Sequence, residues 1–507
     1  MYEINQHGYV TVNPAYKFRS DITSVIITNE DSLFFNVFDR NEQVQSGFAW
    51  KTHPLIAYLF SFFDGSRSLK DSIALLSEHS GISLEDLKSA VEPFIMNKES
   101  MVFSMCNYNN SFALPRNFLT FVEPGIKKRE LLDGIDIVSM SKKFDASSRR
   151  LMVPNEIMLM LNNTCFTNCI YCYADRTHGI ECMLPFHRIV SLIEEAKKLK
   201  IRSVEITGGD LFTYPHWSEI IQLLITNNYH PLISTKVALN EESIIKLKNL
   251  GVKKIQISLD TLDKSLLTKI LGVKSKYLEQ LILTFNNLEK IQIPFRIKTV
   301  ITKYNQEVDH IKKLIEFASR YKYIDEVLIS PGTFSLHKPF DSYAASKKKL
   351  EDIRNFIDTI YDQYPFKINM RPITISNRNL PFQKRMENFN QRTHCTGNLS
   401  SMCILPDGKV TLCEQLYWHP FFLLGDCTNN SIMEVWHSEK ALSLWDFDQV
   451  QVNLKSPCKT CTTFLSCRRG IGNCWKNAIN AYGKENVDFP DYVCPKAPNV
   501  FNNVFHR

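Results

Sequence analysis

From residue 155 to about 335, short apolar runs alternate with longer stretches in which apolar side chains recur every three or four positions. The runs "EIMLMLN", "SVEITGG", "PLISTK", "KIQISLD", "FRIKTVIT" and "EVLISPG" read as strands, because each is brief, rich in β-branched residues and bounded by turn formers. Between them, "FHRIVSLIEEAKKLK", "WSEIIQLLITNN", "EESIIKLKNL" and "EVDHIKKLIEFASRY" each carry one apolar face and read as helices. Six such strand–helix units predict an α/β fold with a parallel sheet or barrel and right-handed crossovers, short of the eight units that close a barrel.

The pattern differs on either side. In the first 105 residues, "YVTVNP", "SVIITN" and "SLFFNVFD" alternate like strands, and "HPLIAYLFSFFDGSRSLKDSIALLSEHSGISLEDLKSAVEPFI" reads as three helices. Ser68 is placed to cap the second helix, and Ser83, followed by Asp86, to cap the third. Strands followed by a helical trio suggest a winged-helix-like α+β module over residues 1–105. Residues 106–150 break into polar and basic pieces such as "SMSKKFDASSRR" and read as a linker. From about residue 376 the alternation stops and cysteines dominate.

A chain of 507 residues is too long for one core, and 44% hydrophobic with 22% charged residues is ordinary globular composition. The net charge of +7 is scattered in short clusters such as "KKR" at 127–129, which argues against nucleic acid as a partner. The longest apolar stretch, "PLIAYLFSFF", falls well short of the ~20 residues a membrane span needs. Nothing in "MYEINQHGYV" resembles a signal peptide, so a cytoplasmic location is expected.

Against that background fourteen cysteines are unusual, since a reducing compartment disfavours disulfides and clustered thiols there usually bind metal. Three lie within "NNTCFTNCIYCYADR", at Cys165, Cys169 and Cys172, directly after the first strand. Zinc favours four ligands, so three thiolates with this spacing suit it poorly. An iron–sulfur cube held by three cysteines keeps one iron without a protein ligand, and a loop at the carboxyl end of a strand is where such folds bind ligands.

"CFTNCIYC" resembles the cysteine motif of radical S-adenosylmethionine (SAM) enzymes, with Tyr171 in the aromatic position near adenine. The likeness implies a partial (β/α)6 TIM-like barrel over residues 151–375. It extends to "ITGGD", where Gly208, Gly209 and Asp210 would hold the methionine amino group, Asp standing where Glu is commoner. It covers "ISTK", with Ser234 and Lys236 at the third strand tip, and "QISLD", with Ser258 and Asp260 facing the ribose. In "FRIKTVITKYN", Lys298 or Arg296 would meet the SAM carboxylate. The resemblance implies a 4Fe-4S cluster on Cys165, Cys169 and Cys172 whose open iron binds SAM, and reductive cleavage to a 5'-deoxyadenosyl radical that removes a substrate hydrogen. A flavodoxin or ferredoxin would supply the electron.

The C-terminal run "CTGNLSSMCILPDGKVTLC", then "CKTCTTFLSC", Cys474 and Cys494, resembles a SPASM domain over residues 376–507. By that likeness Cys458, Cys461, Cys467 and Cys494 hold an outer auxiliary 4Fe-4S cluster, and Cys395, Cys413 and Cys474 an inner one. The inner cluster's fourth ligand is Cys403, Cys427 or none. Six residues separate Cys467 from Cys474 where the motif has three, which puts the placement of Cys474 in question. Cys106 and Cys182 read as packing residues.

Residues 1–105 resemble the recognition element of enzymes that modify ribosomally made peptides, on the stretch "FDGSRSLKDSIALLSEHSGISLEDLKSAVEPFI". Such a module offers a strand edge to an extended leader peptide. The combined expectation is a peptide maturase that forms a thioether between sulfur and a side-chain or backbone carbon, or a carbon–carbon cross-link. The alternatives are a maturase of a protein residue, of the sulfatase-activating type, and a non-catalytic zinc protein that binds peptide or DNA.

Overall fold

The computed structural model describes residues 7–12, 16–20, 25–29, 49–52, 60–98, 101–104, 111–114, 117–123, 150–174, 182–373, 380–390, 395–469 and 472–506. The strand expected at 32–39, most of the first expected helix, Cys106 and much of the expected linker lie outside them. The chain divides into two compact units, Met1–Val153 and Pro154–Arg507.

In the first unit Tyr9–Val12 is the middle strand of an antiparallel sheet, flanked by Asp64–Ser68 and Leu119–Val122. Two corrections follow. "DGSRS" is a strand where the helical reading ran through it, and the stretch read as linker supplies strands at Ser111–Leu114 and Leu119–Val122. Asp64–Ser68 and Leu119–Val122 owe their extended backbone to Tyr9–Val12, more than fifty positions away, so local pattern does not reveal it, while Ser111–Leu114 pairs with the nearby Met101–Ser104. The expected caps are present: Ser68 accepts from Asp71 N and Ser83 from Asp86 N, opening the helices Leu69–Ser80 and Leu84–Val91. Phe60 packs edge-on against Phe94 and Phe118, with ring centroids 5.3 and 4.7 Å away, at the centre of this unit's own core.

The second unit holds the six expected strand–helix repeats. In order they are β1 (Glu156–Met160), α1 (Phe186–Lys198), β2 (Ser203–Thr207), α2 (Trp217–Thr226), β3 (Ile233–Thr235), α3 (Glu241–Asn249) and β4 (Ile255–Ser258). Next come α4 (Lys264–Leu271), α5 (Tyr277–Ile291), β5 (Phe295–Ile301), α6 (Val308–Ala318), β6 (Ile324–Pro331), α7 (Lys347–Ile360) and β7 (Lys367–Met370). Strands β3 to β7 form one parallel sheet, and β1 pairs in parallel with β2. The fold is a partial TIM-like barrel.

On its other side β1 pairs in parallel with β8 (Ser401–Ile404), and β8 continues antiparallel into β9 (Lys409–Thr411) and β10 (Leu423–Asp426). The cysteine-rich C-terminal region therefore shares a sheet with the barrel. No ladder joins β2 to β3. Two carboxylates bridge that seam: Glu205 accepts from Leu232 N at 3.1 Å, while Asp210 accepts from Lys236 N at 3.0 Å and from Thr235 Oγ1 at 2.7 Å. Charge-assisted hydrogen bonds of this kind are roughly twice as strong as neutral ones.

Across the barrel floor runs a polar ladder. Ser234 accepts from Gln256, Gln256 from Arg296 Nε (2.7 Å), and Glu326 from both Arg296 (3.2 Å) and Asn369 (2.9 Å). Arg296 and Glu326 are buried, so their pairing satisfies two charges that would be costly alone.

Candidate active site and auxiliary cysteine sites

The loop after β1 carries Cys165, Cys169 and Cys172. It is pinned on two sides: Asp210 N donates to Thr164 O and Gly209 N to Asn162 O, both at 2.8 Å, while Asn168 N donates to Leu271 O at 2.7 Å. Gly209 has no room for a side chain, because a Cβ there would lie 1.7 Å from Thr164 O. Gly208 takes φ +126°, which also favours glycine. The Gly-Gly-Asp turn thus presses directly against the cysteine loop.

Thr167 Oγ1 lies 3.2 Å from Cys169 Sγ and 3.5 Å from Cys165 Sγ, and Cys172 N donates to Cys169 O at 3.2 Å. Burial pushes the Cys169 thiol up to about 11, so a thiolate there requires positive charge nearby. Lys236 is one source. Burial opposes its charge, yet Cys169, Asp260, Cys165 and Cys172 together hold its ammonium above the ordinary lysine value. Among the described residues no three His, Cys, Asp or Glu side chains converge as the cage of one ion would. Three thiols sharing one electropositive surrounding suit a cluster that is broader than a single ion.

Other expected contacts fall around this loop with altered roles. Tyr171 Oη donates to Asp260 Oδ2, and Val300 N donates to Asp260 Oδ1 at 2.9 Å, so Asp260 is buried and holds the aromatic residue of the motif. Asp210, expected at the methionine amino group, spends its carboxylate on the β2–β3 seam. Ser258 is buried at the tip of β4, and Ser234 is exposed and tied to Gln256. Of the two candidates on β5, Arg296 is locked in the ladder. Lys298, one turn of the pleat closer to the cysteines, has no hydrogen-bond or ion-pair partner among the described residues. Burial, then Arg371, Lys236 and Arg296, lower it to about 8.

Residues that sequence reasoning missed lie beside this loop. Glu414, immediately after Cys413, accepts from Tyr173 Oη at 2.9 Å and from Thr207 Oγ1 at 3.2 Å, both on Oε2. Its neighbour Tyr417 has a buried hydroxyl with no partner among the described residues. The available signal was an acid inside the apolar run "VTLCEQLYW".

The C-terminal cysteines fall into two groups. Cys494 is pushed up to about 11 by burial and by the neighbouring Cys458, Cys467 and Cys461. Cys395 likewise bears on both Cys413 and Cys474, whose thiols burial raises strongly. Cys474 reaches this second group despite the longer spacing, from the N-cap of the helix Trp475–Tyr482. Cys403, on β8, is buried beside Met160, Leu405, Tyr417 and Trp418, and Cys413 is among the groups that raise its thiol. Cys427 lies elsewhere: its carbonyl accepts from Arg188 Nε at 2.6 Å, and its charged neighbours are Arg188, Glu195, Asp426 and Glu434. All described cysteines are free thiols, and thiols this dense fit iron–sulfur ligation, which supplies the missing positive charge.

A partial parallel barrel with three cysteines after its first strand, sharing its sheet with a cysteine-rich domain, defines a radical SAM domain followed by an iron–sulfur SPASM domain. Residues 159–318 match the model of the radical SAM superfamily, and residues 395–462 match that of an iron–sulfur cluster-binding domain, SPASM. The chain carries a radical SAM domain and a SPASM domain, and these imply SAM and 4Fe-4S clusters as its cofactors. The expectation of a non-catalytic zinc protein is set aside.

Among proteins of similar sequence is a probable GTP 3',8-cyclase of Pyrococcus abyssi, 26% identical over 242 residues, which cover 46% of this chain and 71% of that protein. Among solved structures, Streptococcus suis SuiB bound to S-adenosylmethionine superposes with a TM-score of 0.61 at 16% identity, covering 96% of this chain and 99% of that one. SuiB bound to its precursor peptide SuiA gives 0.60 at 16% identity, with the same coverage. The likeness to SuiB extends the shared fold over nearly the whole chain. No helix among the described residues is long and apolar enough to cross a membrane.

Proposed function

We propose that the chain modifies a ribosomally made precursor peptide and installs an intramolecular cross-link, in first place a thioether between a cysteine sulfur and a carbon, in second place a carbon–carbon bond. The observation that carries the reading is the full-length likeness to a fold that, in SuiB, has been solved with a precursor peptide bound. The resemblance to GTP 3',8-cyclases covers about half of the chain, 46% to 53% for the first three, and supports shared chemistry, not a nucleotide substrate.

In this reading Cys165, Cys169 and Cys172 hold the cluster that binds SAM, and Lys298 meets the SAM carboxylate. When bound, these cofactors supply the radical that removes a substrate hydrogen. The chain's own residues position and exchange protons. Tyr173 and Thr207 fix Glu414 Oε2, while Oε1 makes no hydrogen bond to the described residues, so Glu414 is placed to take the proton from a substrate thiol or carbon. Cys458, Cys461, Cys467 and Cys494 hold the outer auxiliary cluster, and Cys395, Cys413 and Cys474 the inner one, with Cys403 favoured over Cys427 as a fourth ligand by its nearness to Cys413. The unit Met1–Val153 binds the leader peptide at a strand edge, and a flavodoxin or ferredoxin gives the electron. A cytoplasmic location accords with this chemistry.

The test is mass spectrometry of short peptides encoded near the gene, each after anaerobic incubation with the enzyme, SAM and reductant. Loss of two hydrogens and a new cross-link is the expected result. Enzyme lacking Met1–Val153 is expected to cleave SAM but to leave the peptide largely unmodified. Equal modification by the truncated enzyme refutes the leader-binding role.

A further inference from the structure

Arg468 occupies an unusual position between the two groups of C-terminal cysteines. It is buried, and it follows Cys467 on the short helix Phe464–Arg469. Its Nη2 lies 3.6 Å from Cys458 Sγ, in the outer group, and donates to Asp488 O at 3.0 Å. Its guanidinium is clamped between rings, 4.9 Å from the centroid of Trp475 and 5.3 Å from that of Phe464. Nη1 is buried with no hydrogen-bond partner among the described residues. The same side chain lines a cavity of about 40 Å³ together with Cys395, of the inner group, and with Leu412, Asn473 and Trp475.

A buried donor normally has a partner, and leaving one of a charged group unmatched is costly. Asp488 O satisfies one edge of the guanidinium; the rest of its charge is directed at sulfur on one side and at the Cys395 cavity on the other. The ring clamp prevents the side chain from swinging out to water. Arginine keeps its charge at every accessible pH, so this is a fixed positive charge and not a switch.

We infer that Arg468 is a positioning residue for electrons: a single fixed cation that stabilises the reduced forms of both auxiliary clusters and so couples their potentials. Hydrogen bonds to the sulfurs and local charge are among the factors that set cluster potentials. The guanidinium withdraws charge from the Cys458 thiolate directly and acts on the inner cluster through the small cavity. Each one-electron reduction adds one negative charge to a cluster beside this cation, and the electron comes from the external reductant. The inference rests on the assignment of Cys458 and Cys395 to two different clusters.

The test is a redox titration of the intact enzyme followed by electron paramagnetic resonance, on the wild type and on Arg468→Gln and Arg468→Lys. Gln keeps a donor and loses the charge; Lys keeps the charge and loses the planar fork. Arg468→Gln is expected to disfavour reduction of both auxiliary clusters at least tenfold, about 59 mV for one electron. Arg468→Lys is expected to recover most of that shift, and the signal of the SAM-binding cluster is expected to stay in place in both variants. Unchanged auxiliary potentials in Arg468→Gln enzyme of full iron content overturn the inference, as does a Lys variant that shifts as far as Gln. Wild-type enzyme with only one auxiliary cluster overturns instead the cysteine assignment beneath it.

Discussion

Tyr173 Oη donates to the Glu414 carboxylate across 2.9 Å of space and 241 positions of sequence. The hydrogen bond joins the loop of Cys165, Cys169 and Cys172 to the residue that follows Cys413. It places a proton acceptor in the space between the two sites, where a substrate must lie if both act on it. Glu414→Gln keeps the shape and the hydrogen bond from Tyr173. The variant is expected to form 5'-deoxyadenosine while losing cross-linked product by about 10²-fold or more, about 10²-fold being the lower end of the range for losing a positioned base. Chromatography of both products checks this, and full cross-linking by the Gln variant removes Glu414 from the chemistry.

Replacing Cys165, Cys169 or Cys172 by Ala is expected to abolish SAM cleavage while retaining the absorbance of the auxiliary clusters. All three thiols bear on the Lys236 ammonium, whereas Cys494 has Cys458, Cys467 and Cys461 as its sulfur neighbours. Deoxyadenosine production that persists in any of the three contradicts the assignment.

Lys298 brings a pH dependence whose sign can be worked out. Burial and neighbouring cations lower its value to about 8, so the free enzyme loses this charge as pH rises through that value. A bound carboxylate favours the protonated lysine, and by linkage SAM affinity is highest below pH 8 and declines above it. Equilibrium binding of SAM between pH 7 and 9 is expected to show this decline. In Lys298→Met affinity is expected to be weaker and the slope near pH 8 to disappear.

The pair of Arg296 and Glu326 offers a stability test distant from the cysteines. Both side chains are nearly inaccessible, 6% and 5% exposed, so Arg296→Met strands a carboxylate and is expected to cost ~3–5 kcal/mol. Arg296→Met combined with Glu326→Leu is expected to regain most of that loss in anaerobic denaturant unfolding. An additive double variant shows that the two side chains do not act as a pair.

How much of this was legible in the sequence depended on the range of the interaction. The six strands and the helices between them were readable because each carries its burial pattern within a dozen residues. The cysteine triplet was readable because its spacing is local. The ring of partners around it was less so: Asp210 looks like a ligand contact in "GGD", but its partners Thr235 and Lys236 belong to the next strand, and a missing ladder makes them necessary. Arg296 and Lys298 look equivalent on one face of β5, and only the buried Glu326 on β6 decides which is spent. Glu414 and Arg468 sat beside recognised cysteines, yet their roles came from contacts with Tyr173, Cys458 and Trp475 that lie elsewhere in the chain.

The parallel pairing of β1 with β8 sets an order on how the molecule must be made. Residues 156–160 leave the ribosome about 240 positions before their partner at 401–404, and until then β1 is an unprotected sheet margin beside a row of bare thiols. A nascent chain stalled in that interval exposes a sticky edge, so synthesis of the last hundred residues, and not of the barrel alone, is what makes the barrel safe from aggregation.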